Sequence, residues 1–380
     1  MLPPEVAGPS FSFDLVQFAG HDGTTLTMPS SCLDITPASP TQWQPLPQSA
    51  ASPLPLLNNS RNPALDILRV VAIFCVMINH TPPSGDSFFQ FVLQYLTSAR
   101  VPTLFILSGF FAARKIESLD YATSNFFRDK FRTLVKPFLI WNILALIVIL
   151  GIKACFPSTA SLATGHYFGV EFDPWSITRA IFGIGRSPII YQFWFLRDLF
   201  FVSCIAFFLC RAMPQTAVLG WLFLLVPFPM VKCLGLFLIG VFLRRQHPPE
   251  DHGDVRKFCV FSIGWLVICI LAWNGLVVIP GPSLAVFSAA FLYSLSAILG
   301  RSPIGPHLAR WGPMTFLAFA IHEPFQSIIF RILEKLAWPG LGMLPYLILV
   351  PASVFAASIA LYNLLNRRAP RLLQQLTGGR

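Results

Sequence analysis

One stretch decides the fold: Ala64-Leu-Asp-Ile-Leu-Arg-Val-Val-Ala-Ile-Phe-Cys-Val-Met-Ile-Asn-His80. It is long and apolar enough for a membrane helix. Arg69 and His80 lie within it, and their spacing places both on one helix face, about 16 Å apart along the axis. An ionisable side chain near the membrane centre costs ~3 kcal/mol or more and is a functional-site candidate. The pair therefore predicts a polar track that runs into the membrane.

The composition extends this interpretation to most of the chain. Of its 380 residues, 54% are hydrophobic and only 12% are charged, about half the charged fraction of a soluble domain. We therefore expect an all-α, polytopic membrane protein. The basic residues cluster at the ends of apolar segments, which is typical of membrane topology and argues against a nucleic-acid partner. The eight cysteines form no Cys-x-x-Cys pair, which argues against a disulfide framework or a metal site.

Three regions follow from the distribution of residues. Residues 1–60 are rich in proline and polar residues, carry no Lys or Arg, and are predicted to be a disordered tail rather than a signal peptide. Residues 61–366 form the predicted membrane domain, and residues 367–380 a basic C-terminal tail. About ten spans are expected, and they cover residues 64–80, 87–113, 133–153, 191–211, 216–229, 230–244, 257–278, 280–299, 313–332 and 342–366. The fifth and sixth are short and could form one broken hairpin.

Most basic residues fall in alternate loops and beside the two ends of the domain. The positive-inside rule then predicts that both termini are cytoplasmic. This orientation places His80 near the outer end of the first span and Arg69 nearer the inner side.

The first two spans carry several candidate residues. Asp66 and Arg69 can pair across one helical turn, so the segment is either a helix-end ion pair or a cavity with a histidine base at one end. In the second span, Arg100 is a buried cation, and Gly109 permits close helix approach. For Ser108, back-bonding to a helix carbonyl is favoured over nucleophilic catalysis, because the strand–turn–helix context of a nucleophile is absent.

A basic stripe follows the second span. Arg128, Arg132 and Lys136 recur every four residues and so lie on one face of an interfacial helix. The stripe could contact anionic lipid, or it could bind a phosphorylated ligand. The spacing alone favours neither.

The fourth and ninth spans supply the remaining candidates. Trp194, near the start of the fourth span, is typical of a membrane-interface aromatic. Arg197 and Asp198 point to different helix faces, so each is expected to need its own partner, for example Arg100 or Lys232 for the aspartate. In the ninth span, His322 is either a hydrogen-bonded core histidine or a functional one, and the adjacent Glu323 favours function.

Together these motifs resemble the acyltransferase-3 family of integral-membrane acyltransferases over residues 61–366. The motifs that carry the resemblance are Arg69-x10-His80, the Val-Pro-x-Leu-Phe-x-Leu-Ser-Gly-Phe run at 101–110, Arg132-x3-Lys136-Pro137, Trp194-Phe195-Leu196 and Ile321-His322-Glu323-Pro324. The sequence departs from the family pattern at Gln192 and Phe319, where many relatives have His and Tyr.

The resemblance implies the transfer of an acyl group, usually acetyl, from cytoplasmic acyl-CoA to a sugar hydroxyl of a cell-envelope glycan or its lipid-linked precursor. The expected location is the bacterial inner membrane, and no metal is expected. The family's paired arginine and histidine correspond to Arg69 and His80.

We therefore expect a catalytic group, a donor-binding group and an acceptor-binding group of residues. The catalytic group is His80, Arg69, His322 and Glu323; the donor group is Arg128, Arg132, Lys136, Arg100 and Ser108; and the acceptor group is Asp66, Gln192, Trp194, Arg197 and Asp198. The expected partners are the lipid bilayer, acyl-CoA and the glycan. A transporter or flippase for a glycan, lipid or anionic solute is the alternative, because it could use the same buried charges.

Overall fold

The computed structural model describes residues 62–80, 92–93, 97–118, 120–155, 173–185, 187–246, 255–276, 281–335 and 344–379. Within these ranges all regular structure is helical and no strand occurs, which confirms the predicted all-α class. The predicted tail at 1–60 lies outside the described residues.

Fourteen α-helices are described, together with a π-helix and two short 3₁₀ turns. The α-helices are α1 Pro63–Asn79, α2 Arg100–Glu117, α3 Thr123–Lys130, α4 Lys136–Cys155, α5 Pro174–Phe182, α6 Trp194–Ala212, α7 Thr216–Phe223, α8 Pro229–Gln246, α9 Val255–Trp273, α10 Gly281–Arg301, α11 Gly305–Arg310, α12 Thr315–Lys335, α13 Leu344–Arg368 and α14 Pro370–Thr377. The π-helix is Phe131–Val135, and the 3₁₀ turns are Tyr191–Phe193 and Gly312–Met314.

Each predicted span coincides at least in part with a helix, although the start of the second span lies partly outside the described residues. The expected fifth span is short: α7 has only eight residues, about 12 Å, against a hydrocarbon core of about 30 Å. Among the described helices, four are long and apolar enough to cross a membrane, namely those within Thr123–Cys155, Tyr191–Ala212, Leu284–Arg301 and Leu347–Arg368. The number of about ten spans and the cytoplasmic termini stay predictions.

Large apolar side chains cover the outside of several helices. On α4, Ile147 and Val148 are 61% and 59% exposed, and on α9, Val260 and Ile263 are 69% and 64% exposed. Exposed apolar surface on such a scale marks contact with lipid or with another protein. Together with the long apolar helices, it supports an integral membrane protein.

Helices α2 and α8 pack closely together, and glycine makes the contact possible. A Cβ atom at Gly109 would overlap the carbonyl group of Phe237, and one at Gly240 would overlap that of Ile106. The close approach expected at Gly109 is thereby confirmed. Helix α2 also packs against α1 and α6, and α12 packs against α1. These four helices carry most of the candidate site residues.

Candidate active site

Two histidines that are far apart in the sequence meet near the end of α1. His80 caps the C-terminus of α1, and His322 lies in the middle of α12. Their ring centroids are 5.2 Å apart. The hydroxyl group of Tyr191 lies 2.7 Å from Nδ1 of His80. The structure therefore brings together the two histidines that the sequence singles out and adds a tyrosine.

The hydrogen bond of His322 fixes its tautomer. Its Nδ1 lies 2.7 Å from the carbonyl oxygen of Phe319. Because a carbonyl oxygen can only accept, Nδ1 is the nitrogen that donates a proton. In the neutral ring, Nε2 then carries a lone pair. This atom is fully buried and has no hydrogen-bond partner among the described residues. A buried, unpaired base is costly, and the described residues satisfy only one of the two ring nitrogens of His322.

Local contacts hold the two histidines in place. The side-chain amide of Gln326 donates to the carbonyl oxygen of Met77 at 2.6 Å and so joins α12 to the last turn of α1. On the other side, Asn142 of α4 accepts a hydrogen bond from the backbone N–H of Ile190 at 3.1 Å. That bond anchors the chain immediately before Tyr191.

Charged and polar groups surround the pair. Arg100 is close enough to interact electrostatically with both His80 and Tyr191, and Glu323 is close enough to interact with Tyr191. Arg100 is anchored by a 2.7 Å hydrogen bond to the carbonyl oxygen of Thr97. Gln192 is buried and donates to the carbonyl of Ala320 at 3.4 Å, whereas its Oε1 has no partner among the described residues. These groups provide a positive charge and a free acceptor near the histidines.

A phenylalanine cluster borders the histidine pair. The ring of Phe319 stacks on that of Phe193 with centroids 5.8 Å apart, and it meets Phe195 edge-on at 5.9 Å. It also lies 5.8 Å from the ring of His322. Phe319 is at the same time part of the wall of a large cavity. Its ring therefore contacts both regions.

This cavity has a volume of about 600 Å³, within the range of about 300–1,000 Å³ typical of small-molecule sites. Four basic residues and one acidic residue line it: Arg69, Lys115, Lys130, Arg132 and Asp129. Lys115 pairs with Asp129 at 2.6 Å. An excess of positive charge therefore faces the cavity, and its apolar wall includes Ile73, Leu104 and Phe316.

The cavity includes some of the predicted donor-binding residues and leaves out others. Arg132 and Ser108 line it, whereas Arg128 and Lys136 are absent from its wall. Arg128 is exposed and donates to the side chain of Asn125 at 2.9 Å. The π-helix Phe131–Val135 interrupts the regular spacing of the basic stripe, because one turn holds an extra residue.

Two further expectations concern Ser108 and the pair Asp66–Arg69. Ser108 has no hydrogen-bond partner among the described residues, so the expected back-bond does not form. Asp66 and Arg69 do pair, at 3.2 Å, as predicted. Asp66 is 4% exposed and packs against Gly312, while the guanidinium of Arg69 lies 4.4 Å from the ring of Phe111.

The expectation that Arg197 and Asp198 need separate partners is wrong. Nε of Arg197 donates to Asp198 at 2.9 Å, because a long side chain can fold back over its neighbour. The same guanidinium donates to the carbonyl of Gly183 at 2.8 Å, just after α5. Arg197 thus ties α5 to α6. Trp194 packs edge-on against Phe195 and is not part of the cavity wall.

Tyr191, Lys115 and Lys130 are not among the predicted site residues, and neither are the glycines at 378 and 379 that complete the cavity wall. Tyr191 directly precedes Gln192, a predicted acceptor-binding residue, so its position offered a signal. The glycines offered none. Among the described residues, no three His, Cys, Asp or Glu side chains group as metal ligands.

The helical fold, the exposed apolar surface and the paired histidines are typical of a membrane-embedded enzyme. Comparison with known families gives its class: residues 62–363 match the acyltransferase domain of the acyltransferase-3 family. The chain belongs to this family and is an acyltransferase, as the motifs predicted.

One curated protein is similar to this chain along most of both sequences. It is the succinoglycan biosynthesis protein ExoH of Rhizobium meliloti (strain 1021), 24% identical over 350 residues that cover 83% of this chain and 92% of the relative. No solved structure matches the chain significantly.

Proposed function

We propose that this protein transfers an acyl group from acyl-CoA to a hydroxyl group of a cell-envelope polysaccharide or its lipid-linked precursor, with acetyl as the first group to test. Family membership supports acyl transfer, and the relative named for succinoglycan biosynthesis supports a polysaccharide acceptor. The observation that carries the proposal is the pairing of His80 and His322 next to a basic cavity of suitable size.

The basic cavity is the proposed donor site. Phosphate groups of CoA would contact Arg132 and Lys130, because Arg and Lys are the usual phosphate-binding side chains. The thioester arm would then follow the apolar wall towards Phe319. Arg69 and His80 lie about 16 Å apart along α1, so an extended arm is needed to join the charged end to the histidines. On the proposed topology the donor enters from the cytoplasm.

The histidine pair is the proposed reaction centre. His80 is partly exposed, unlike His322, so His80 is the proposed base that takes the proton of the acceptor hydroxyl. The oxygen of the acceptor hydroxyl forms a bond to the thioester carbon, and the carbon–sulfur bond breaks. The proton then passes from His80 to the CoA thiolate. Tyr191 orients His80, and Arg100 stabilises the oxyanion that forms on the thioester oxygen. His322 provides a second acceptor for the proton.

The acceptor would approach the same centre from the other side of the membrane. Glu323 and Gln192 are the proposed acceptor-orienting residues, because both are polar and lie close to Tyr191 or to the backbone of α12. The transporter alternative is not favoured, since the family match supports an enzyme.

The test is acyl transfer by the purified protein in lipid nanodiscs. Labelled acetyl-CoA and an acceptor polysaccharide isolated from cells without the protein are supplied, and both CoA release and the mass of the glycan are measured. We expect acceptor-dependent release of CoA together with an acylated glycan. His80→Ala should abolish both while the variant stays folded. Uptake of a glycan or solute without CoA release would contradict the proposal.

A further inference from the structure

The last helix of the described chain is docked against the membrane domain. On α14, Leu373 and Leu376 are 4% and 7% exposed, whereas Gln374 faces outward. The indole nitrogen of Trp141 on α4 donates to the carbonyl oxygen of Leu376 at 3.0 Å. The segment predicted as a basic tail therefore includes a helix with a buried apolar face.

Two glycines follow the last residue of this helix and pack closely against the π-helix. Gly378 has φ 72° and Gly379 has φ 74°, values that glycine adopts readily and that other residues adopt at a cost. A Cβ atom at Gly378 would lie 2.8 Å from both Cα and the carbonyl oxygen of Thr133. Because these are backbone atoms, they cannot rotate away, and only glycine fits.

The two glycines form part of the wall of the basic cavity, beside Arg132. A Cβ atom at Gly379 would lie 3.8 Å from Nη2 of Arg132. The guanidinium has no ion-pair or hydrogen-bond partner among the described residues, so it is available to a ligand. The family match ends at residue 363, which leaves this segment outside the region that family membership describes.

The direction of α14 defines what the segment can do. Its C-terminal end faces the cavity, and a helix C-terminus carries partial negative charge. This end is therefore a poor phosphate ligand but an attractive neighbour for a guanidinium. We propose that residues 370–379 complete the acyl-donor site by closing one side of the cavity and holding Arg132 towards it, with Gly378 as a positioning residue. This inference rests on the proposed function.

The experiment compares Gly378→Ala and Leu373→Asp with two matched controls, all in the full chain in nanodiscs. Gly275→Ala is the control for the glycine, since Gly275 has φ 69° and a Cβ there would meet none of the described residues within 4 Å. Gln374→Asp is the control for the added charge, since Gln374 is on the exposed face of the same helix. The measurements are KM for acetyl-CoA, kcat, and the Kd of CoA.

We expect Gly378→Ala and Leu373→Asp to raise the KM for acetyl-CoA and the Kd of CoA on the order of tenfold, because about one charge-assisted contact is lost. The kcat of both variants should be unchanged. Both controls should match the unaltered protein. Unchanged KM and Kd in both test variants, or a fall in kcat alone, would overturn the inference while leaving the proposed function standing. If the unaltered protein neither bound CoA nor transferred an acyl group, the proposed function itself would fail.

Discussion

The last turn of α1 ends at the histidine pair, whereas the turn that carries Arg69 borders the basic cavity. Around the histidines, His322 is fully buried and its Nε2 lacks a partner. Around the cavity, Arg132 is exposed and basic residues outnumber acidic ones. A water-poor centre favours proton transfer between fixed groups, and an open, positive cavity favours binding of an anion. The difference predicts that variants in the first region lower kcat and variants in the second raise KM.

The largest effect is expected at the histidine pair. His322→Gln removes the free imidazole nitrogen, and loss of a general acid or base typically lowers the rate about 100- to 10,000-fold. We expect a loss of kcat in this range with an unchanged KM for the donor. His307→Ala is the matched control, because His307 is an exposed histidine on α11 that contacts Arg310. A His322→Gln variant with normal kcat would remove His322 from the reaction centre.

The second prediction separates the basic cavity from the basic stripe. Arg132→Ala should raise the KM for acyl-CoA about 10- to 100-fold, since a hydrogen bond to a charged group contributes about 1.5–3 kcal/mol. Its kcat at saturating donor should stay normal. Arg128→Ala should have a much smaller effect, because Arg128 does not line the cavity and donates a hydrogen bond to Asn125. Equal losses in the two variants would favour the regular stripe that the sequence spacing suggests.

The contrast between the histidine pair and the cavity also shows how much of the site could be predicted from the sequence. A histidine in an apolar segment is conspicuous, because its burial is costly, so both members of the pair could be found from the sequence. The cavity wall was harder to predict. The π-helix at Phe131–Val135 changes the spacing of the basic residues, and Gly378 reaches the cavity through a tertiary contact with Thr133. Neither feature has a periodic signal in the sequence.

A smaller effect is expected at Tyr191. Tyr191→Phe removes the hydroxyl group that lies 2.7 Å from His80 but keeps the ring. One hydrogen bond contributes about 1 kcal/mol, so kcat should fall about fivefold and KM for the donor should stay constant. Tyr362→Phe, a partly buried tyrosine of α13 in the hydrophobic core, is the control. A rise in KM with constant kcat would instead place Tyr191 on the donor path.

The smallest effect tests the boundary between the two regions. Phe319 lines the cavity and also contacts His322, so its ring lies between the donor site and the histidine pair. Phe319→Ala should admit water and raise acyl-CoA hydrolysis without acceptor a few-fold, because exclusion of water suppresses such side reactions. The measurement is CoA release without polysaccharide, with Phe316→Ala as the comparison, since Phe316 also lines the cavity and its ring packs against that of Phe193. If hydrolysis rose equally in both variants, any opening of the cavity wall would admit water, and Phe319 would have no special role. If it rose in neither, Phe319 would not be the barrier that keeps binding and chemistry apart.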